Sequence, residues 1–87
     1  MVPGTVRTEL AKRGFVHEGT GGNCSAYRIR MGSIYEMLVT DGDGRTPILM
    51  SRAVTASKVP RNECEPVWEK TFGTMVAFLH WWDRSDR

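Results

Sequence analysis

Two cysteines in 87 residues, Cys24 and Cys64, are too few for a disulfide framework, which excludes the small stapled scaffolds of secreted proteins. No apolar run approaches the ~20 residues that a membrane-spanning helix needs. Residues 1–14 contain no apolar stretch of the secretory-signal kind, so the chain is expected to be cytoplasmic with reduced thiols. The histidines are also two, His17 and His80, and with the cysteines they fall at spacings of 7, 40 and 16. Zinc knuckles bring ligands in close sequence pairs, and none occurs here. The glycines at 19, 21 and 22 are not followed by the Lys-Ser/Thr of a phosphate loop. Asp41-Gly42-Asp43-Gly44 opens like a calcium loop, but Arg45 and Arg52 stand where a ligand and the bidentate Glu belong. No metal or cofactor is therefore expected. A formal net charge of +2 is too small to argue by itself for nucleic acid.

What remains is an ordered globular chain, 40% hydrophobic and 25% charged, of a length that builds one domain, residues 1–87, around one modest core. Twelve residues are basic; Lys12, Lys58 and Lys70 are the lysines, which leaves nine arginines. Arg, unlike Lys, holds carboxylate or phosphate in a planar fork.

Residues 20–40 are the stretch around which the fold is expected to form. Two alternating runs, 25–31 and 34–40, flank Gly32-Ser33, the signature of a two-residue hairpin turn. In that register Met31 faces Ile34, Ile29 faces Glu36, Tyr27 faces Leu38 and Ser25 faces Thr40, which makes this the core side. The other face pairs Arg30 with Tyr35, Arg28 with Met37, Ala26 with Val39 and Cys24 with Asp41. The glycine-rich residues 18–23 read as a tight loop entering the first run, with an anion nest as the functional alternative.

Thr5 is a good N-cap for a short helix whose face carries Val6, Leu10 and Ala11, and Gly14 can stop it in the left-handed region. Phe15-Val16 begins an edge strand. Residues 46–54 read as a third strand, and 55–61 as a polar connection ending at Pro60. The last segment reads as a helix beginning near Pro66, with Glu63, Glu65 and Glu69 at its positive end and Arg84 and Arg87 beyond its far end. Its stripe would be Trp68, Phe72, Met75, Leu79 and Trp82, with Phe78 and Trp81 on a second face. The expected fold is α+β: a small antiparallel sheet of three to four strands, a short N-terminal helix, and a C-terminal amphipathic helix packed on the sheet.

Cys24 after Gly-Gly-Asn has the look of a thiol nucleophile, but such a Cys opens a helix, and the alternation of Tyr27, Ile29 and Met31 is that of a strand. A small buried Cys is the expected reading. Arg28 and Arg30 beside Tyr35, with Arg52 on the third strand, could make a basic face of the RNA-recognition kind; a solvated strand face is the plainer reading.

The run Phe15 … Thr20-Gly21-Gly22-Asn23-Cys24-Ser25-Ala26, with Leu38-Val39-Thr40-Asp41 ending the next strand, resembles a group of short phage and prophage proteins. Those carry Thr-Gly-Gly-Gly-Cys-x-Ala ahead of a strand and Leu-(Ile/Val)-Thr-Asp at the end of the next. The likeness spans residues 15–41 and departs at Asn23, where the group has a third Gly. It implies an accessory protein of phages and mobile elements, a class that includes anti-CRISPR inhibitors, which act by binding and occluding a partner. On that resemblance the chain is expected to be a non-enzymatic inhibitor of a host defence complex, a CRISPR–Cas effector, in the cytoplasm of a bacterial host. Arg28, Arg30, Asp41, Asp43, Trp81 and Asp83 are the candidate partner contacts, chosen for expected exposure. The alternative is a nucleic-acid-binding or regulatory module using Arg28, Arg30, Arg45 and Arg52; a Cys24 enzyme is a third option.

Overall fold

The hydroxyl of Thr5 accepts a hydrogen bond from the Thr8 amide at 3.1 Å and starts α1, Val6–Lys12, in the computed structural model. Gly14, at φ 92°, turns the chain out of the helix, its amide donating to the Ala11 carbonyl at 3.0 Å. Only glycine adopts that angle without strain. Val6 and Leu10 are buried as expected; Ala11 is exposed. The structure describes residues 5–21, 24–42, 45–62 and 65–85. Expectations placed on Gly22, Asn23, Asp43, Gly44, Glu63, Cys64 and Arg87 lie outside the described residues.

Among the described residues five strands follow one another in chain order as an antiparallel meander, one or two more than expected. β1, Val16–Gly21, is the edge strand that Phe15-Val16 signalled. It runs further than expected, because the glycine-rich stretch assigned to a loop is itself paired: Gly19 opposes Ser25 and Gly21 opposes Cys24, with a bulge between. Glycine tolerates that irregularity.

β2, Cys24–Met31, and β3, Tyr35–Asp41, form the central hairpin, but in a register one residue from the expected one. Met31 opposes Tyr35, and the connection is three residues, Gly32, Ser33 and Ile34, with Gly32 at φ 78°. A one-residue slip exchanges every side chain of a strand between faces. Here it decides the core: Met37 and Val39, at 0% exposure, join Tyr27 and Ile29 on the inner side, while Glu36 turns out. In the two-residue register Glu36 would have been buried opposite Ile29. Burying Met and Val, worth roughly 1.5–3 kcal/mol each, outweighs the turn preference.

The third strand lies elsewhere too. Residues 46–53 are not a strand; β4 is Val54–Pro60, the segment read as a polar connection. It pairs along all of β3, from Asp41 with Val54 to Tyr35 with Pro60. Val54 and Ala56 are its buried positions on the helix side; Thr55 and Ser57 face the other way, as does Val59, which is buried opposite Glu36. Pro60, the expected breaker, ends the strand instead of separating two elements.

The C-terminal helix is also shorter than expected. Trp68–Phe72 is β5, paired with β4, and α2 is Met75–Arg84, capped by the Thr74 hydroxyl accepting from the Ala77 amide at 3.0 Å. Its buried stripe is Met75, Phe78, Leu79 and Trp82, an i, i+3, i+4, i+7 pattern. Phe78, expected off the core face, is at 0% exposure.

Both helices lie on the same side of the sheet, because Val6, Leu10, Met75, Phe78, Leu79 and Trp82 share one cluster with Tyr27, Met37, Val39, Val54, Ala56 and Phe72. The other side carries Val16, Arg28, Arg30, Glu36, Leu38, Thr55, Ser57 and Glu69. Among the described residues no helix covers it. The protein is an α+β two-layer domain with one open sheet face.

Candidate functional site

Strand pairing sets the chemistry of the open face. Arg28 opposes Leu38, which puts Glu36 two residues away on the diagonal, within reach of a long side chain. The guanidinium closes on it as a fork, Nη2 to Oε1 at 2.7 Å and Nε to Oε2 at 3.2 Å. Two parallel charge-assisted bonds hold the two side chains to each other across the strand pair. Arg30, directly opposite Glu36, is exposed, and among the described residues no carboxylate bonds it. Arg61 approaches from the end of β4: its amide donates to the Ile34 carbonyl at 2.8 Å, and its Nη1 to the Ser33 carbonyl at 3.5 Å. These groups line a cavity of ≈ 630 Å³ with Gly14, Val16 and Ile29. Three guanidiniums share it with one carboxylate that is already engaged.

Of the expected contacts, Arg28 and Arg30 meet here. Tyr35 does not join them: it is on the helix side, with the Lys58 ammonium 4.5 Å over its ring. Asp41 ends β3 at the opposite end, where its Oδ1 accepts from the Arg45 amide and its own amide donates to the Arg45 carbonyl, both at 2.8 Å. Six residues of strand, about 20 Å, separate that end from Tyr35. Asp83 is on α2, bound by Arg13 through Nε at 2.8 Å and Nη2 at 2.7 Å. Trp81 is half-buried, its ring against Trp68, Phe72, Phe78 and Trp82, with the Lys70 ammonium 5.5 Å from its centroid. Asp43 lies outside the described residues.

The alternative set divides in the same way. Arg45 and Arg52 belong to the 45–53 connection, where Arg52 lines a separate ≈ 200 Å³ cavity with Asp41, Pro47, Ile48 and Leu49. That connection is held by the His17–Thr46 hydrogen bond at 3.0 Å, by buried Pro47, and by the Met50 carbonyl accepting from Val76 at 3.3 Å. It presents Ile48 at 77% exposure and Leu49 at 46%.

Arg61 is the residue that sequence reasoning missed. The signal was Pro60, which ends a strand as readily as it breaks a helix. Reading residues 54–60 as strand would have carried Arg61 to the hairpin turn.

Cys24 begins β2, a strand rather than a helix. The His17 Nε2 is engaged with the Thr46 hydroxyl, its ring 5.2 Å from Tyr27, and His80 is exposed on α2. Among the described residues no three His, Cys, Asp or Glu side chains come together.

Burial pushes the Tyr27 phenol above its ordinary value, Arg7 pulling weakly the other way. Hydrogen bonds from Lys12 and then Arg13 hold the Glu9 carboxyl below its usual range, and the bonds to Asp83 raise Arg13 further.

No protein-family model, curated protein or solved structure matches this chain.

Proposed function

We propose that this chain is a non-enzymatic binding protein that contacts its partner through the open sheet face around Arg28, Arg30 and Arg61. The observation that carries the reading is the cavity those arginines share, Arg28 and Arg30 reaching it from β2 and Arg61 from the turn that follows β4. Arg28 is already held in place by its fork to Glu36, which leaves less of its side-chain freedom to be lost on binding. The resemblance of residues 15–41 to phage accessory proteins points to a bacterial host's defence complex as the partner, a CRISPR–Cas effector foremost, met in the host cytoplasm and blocked by occlusion. The strand setting of Cys24 and the engagement of His17 by Thr46 support a role without catalysis.

The test is affinity capture from lysates with and without such an effector, followed by an interference assay. Wild-type protein should retain the effector and suppress interference; Arg30→Glu with Arg61→Glu should do neither while melting at the same temperature. Retention by the doubly reversed variant would remove the proposed face.

A second reading, direct nucleic-acid binding, draws on the same three guanidiniums. It predicts affinity for free RNA or DNA that falls steeply with salt, as released counterions require.

A further inference from the structure

β1 and β2 do not end together. The first pair is Val16 with Arg28, and before Val16 the chain leaves the sheet through Phe15 and Gly14 into α1. β2 continues past that point to Met31. Among the described residues no strand pairs with Ile29, Arg30 and Met31 on the β1 side, so the sheet has a notch three residues long. Backbone groups along such an edge accept an added strand.

Gly14 shapes the notch. A Cβ there would stand 3.4 Å from the Ile29 Cδ1, so the corner of the notch is lined by backbone at Gly14.

A cavity opens on each side of this edge, and the two share Ile29 and Arg30. The open-face cavity, ≈ 630 Å³, is cationic, with Arg28, Arg30 and Arg61 against Glu36. The helix-side cavity, ≈ 440 Å³, has Ile29, Met31 and Trp82 as apolar walls and Lys58 beside them. Side chains of a strand alternate between faces. A strand added along Ile29–Met31 would therefore send every second side chain toward arginines and the intervening ones toward Ile29, Met31 and Trp82.

We propose that the notch takes an extended protein segment in which acidic and aliphatic residues alternate, joined to the β2 edge by main-chain hydrogen bonds. Its carboxylates meet Arg30 and Arg61, and its aliphatic side chains fill the cavity beside Trp82. This deepens the binding function above and rests on it. Nucleic acid is the poorer occupant: no aromatic ring lines the cationic cavity to stack a base, and Glu36 would face the phosphates.

The probe is the peptide acetyl-Glu-Val-Glu-Val-Glu-Val-amide, compared with acetyl-Glu-Glu-Glu-Val-Val-Val-amide and an oligouridylate of matching length. Binding to the full chain is followed by amide NMR shifts and fluorescence anisotropy. The alternating peptide should bind, shifting the amides of Ile29, Arg30 and Met31. Arg30→Glu with Arg61→Glu should weaken it at least about tenfold without lowering the melting temperature. Methylating the peptide's backbone nitrogens should abolish it. Equal binding of the block peptide, tighter binding of the oligouridylate, or indifference to the charge reversal would overturn the proposal. So would concentration-dependent self-association through the notch, which would make a second copy the occupant. Capture of a partner complex by a chain that binds no alternating peptide would overturn this mode of recognition and leave the binding function standing.

Discussion

Phe78 is the residue on which the core closes. At 0% exposure it meets Phe15 at 6.1 Å, Phe72 at 5.5 Å, Trp81 at 5.9 Å and Trp82 at 6.2 Å between ring centroids. Truncating a buried Phe costs roughly 3–5 kcal/mol, comparable to the whole stability of a small domain. Phe78→Ala and Trp82→Ala should therefore each leave little folded protein at room temperature, as thermal melts would register. Trp81, half-buried, is different: Trp81→Ala removes edge contacts worth about 0.5–1.5 kcal/mol per ring pair and should leave a folded protein with a lowered melting temperature. A melt unchanged by Trp81→Ala would mean that its ring packs on nothing. Tyr27 carries a pH prediction. Its folded-state value is raised by burial above the ordinary 10.0, so the unfolded chain releases the phenolic proton first as pH rises. Stability should be intact below about pH 10 and fall as pH climbs from there toward the folded-state value. Tyr27→Phe should remove that portion of the alkaline decline in urea melts.

At the scale of elements, α2 depends on a cap that is easy to overlook. Thr74 accepts from the Ala77 amide, and Thr74→Ala should lower stability by about 1 kcal/mol in denaturant melts. Thr74→Ser should restore most of it. The same region explains what the sequence made legible and what it did not. Thr5, Leu10 and Gly14 gave α1 with both ends, since cap, apolar spacing and stop are all local signals. Trp68 and Phe72 misled because a spacing of four fits both a helix turn and two steps along one face of a strand. Gly73-Thr74 was the local cue that separates β5 from α2. Residues 46–60 were misread for another reason. Alternating Ile48 and Met50 looked like a strand, while β4, with only Val54, Ala56 and Val59 as apolar members, becomes one through its partner β3. Tertiary pairing of that kind leaves no local mark. The hairpin register was hidden likewise, because burial of Met37 and Val39 is settled by the core and not by Gly32-Ser33. Of the site, Arg28 and Arg30 were legible as neighbours on a strand; Arg61 was not, since it arrives only once β4 exists.

At the scale of the molecule, α1 and the turn that follows it are tied to α2. α1 has seven residues, too few to be stable alone, so its order comes from docking Val6 and Leu10 into the core it shares with α2. Phe15 and Trp82 pack with tilted rings at a centroid distance of 5.0 Å, and Arg13 forks onto Asp83 across 70 positions of sequence. The ion pair is partly solvated, with side-chain exposures of 20% and 48%, so it should contribute little beside the burial. A double-mutant cycle with Arg13→Ala and Asp83→Ala should give a coupling of about 0.2–1 kcal/mol, reduced by salt. Leu10→Ala should cost roughly 2–5 kcal/mol. That loss should not merely free α1, because Leu10 belongs to the same cluster as Met37, Val54 and Phe78. Far-ultraviolet circular dichroism, which follows helix and sheet, and tryptophan fluorescence, which follows the α2 cluster, should shift to one common lower midpoint. If the two midpoints separate, with the tryptophan signal staying at its wild-type position, α1 is an independent appendage and the single core described here is two.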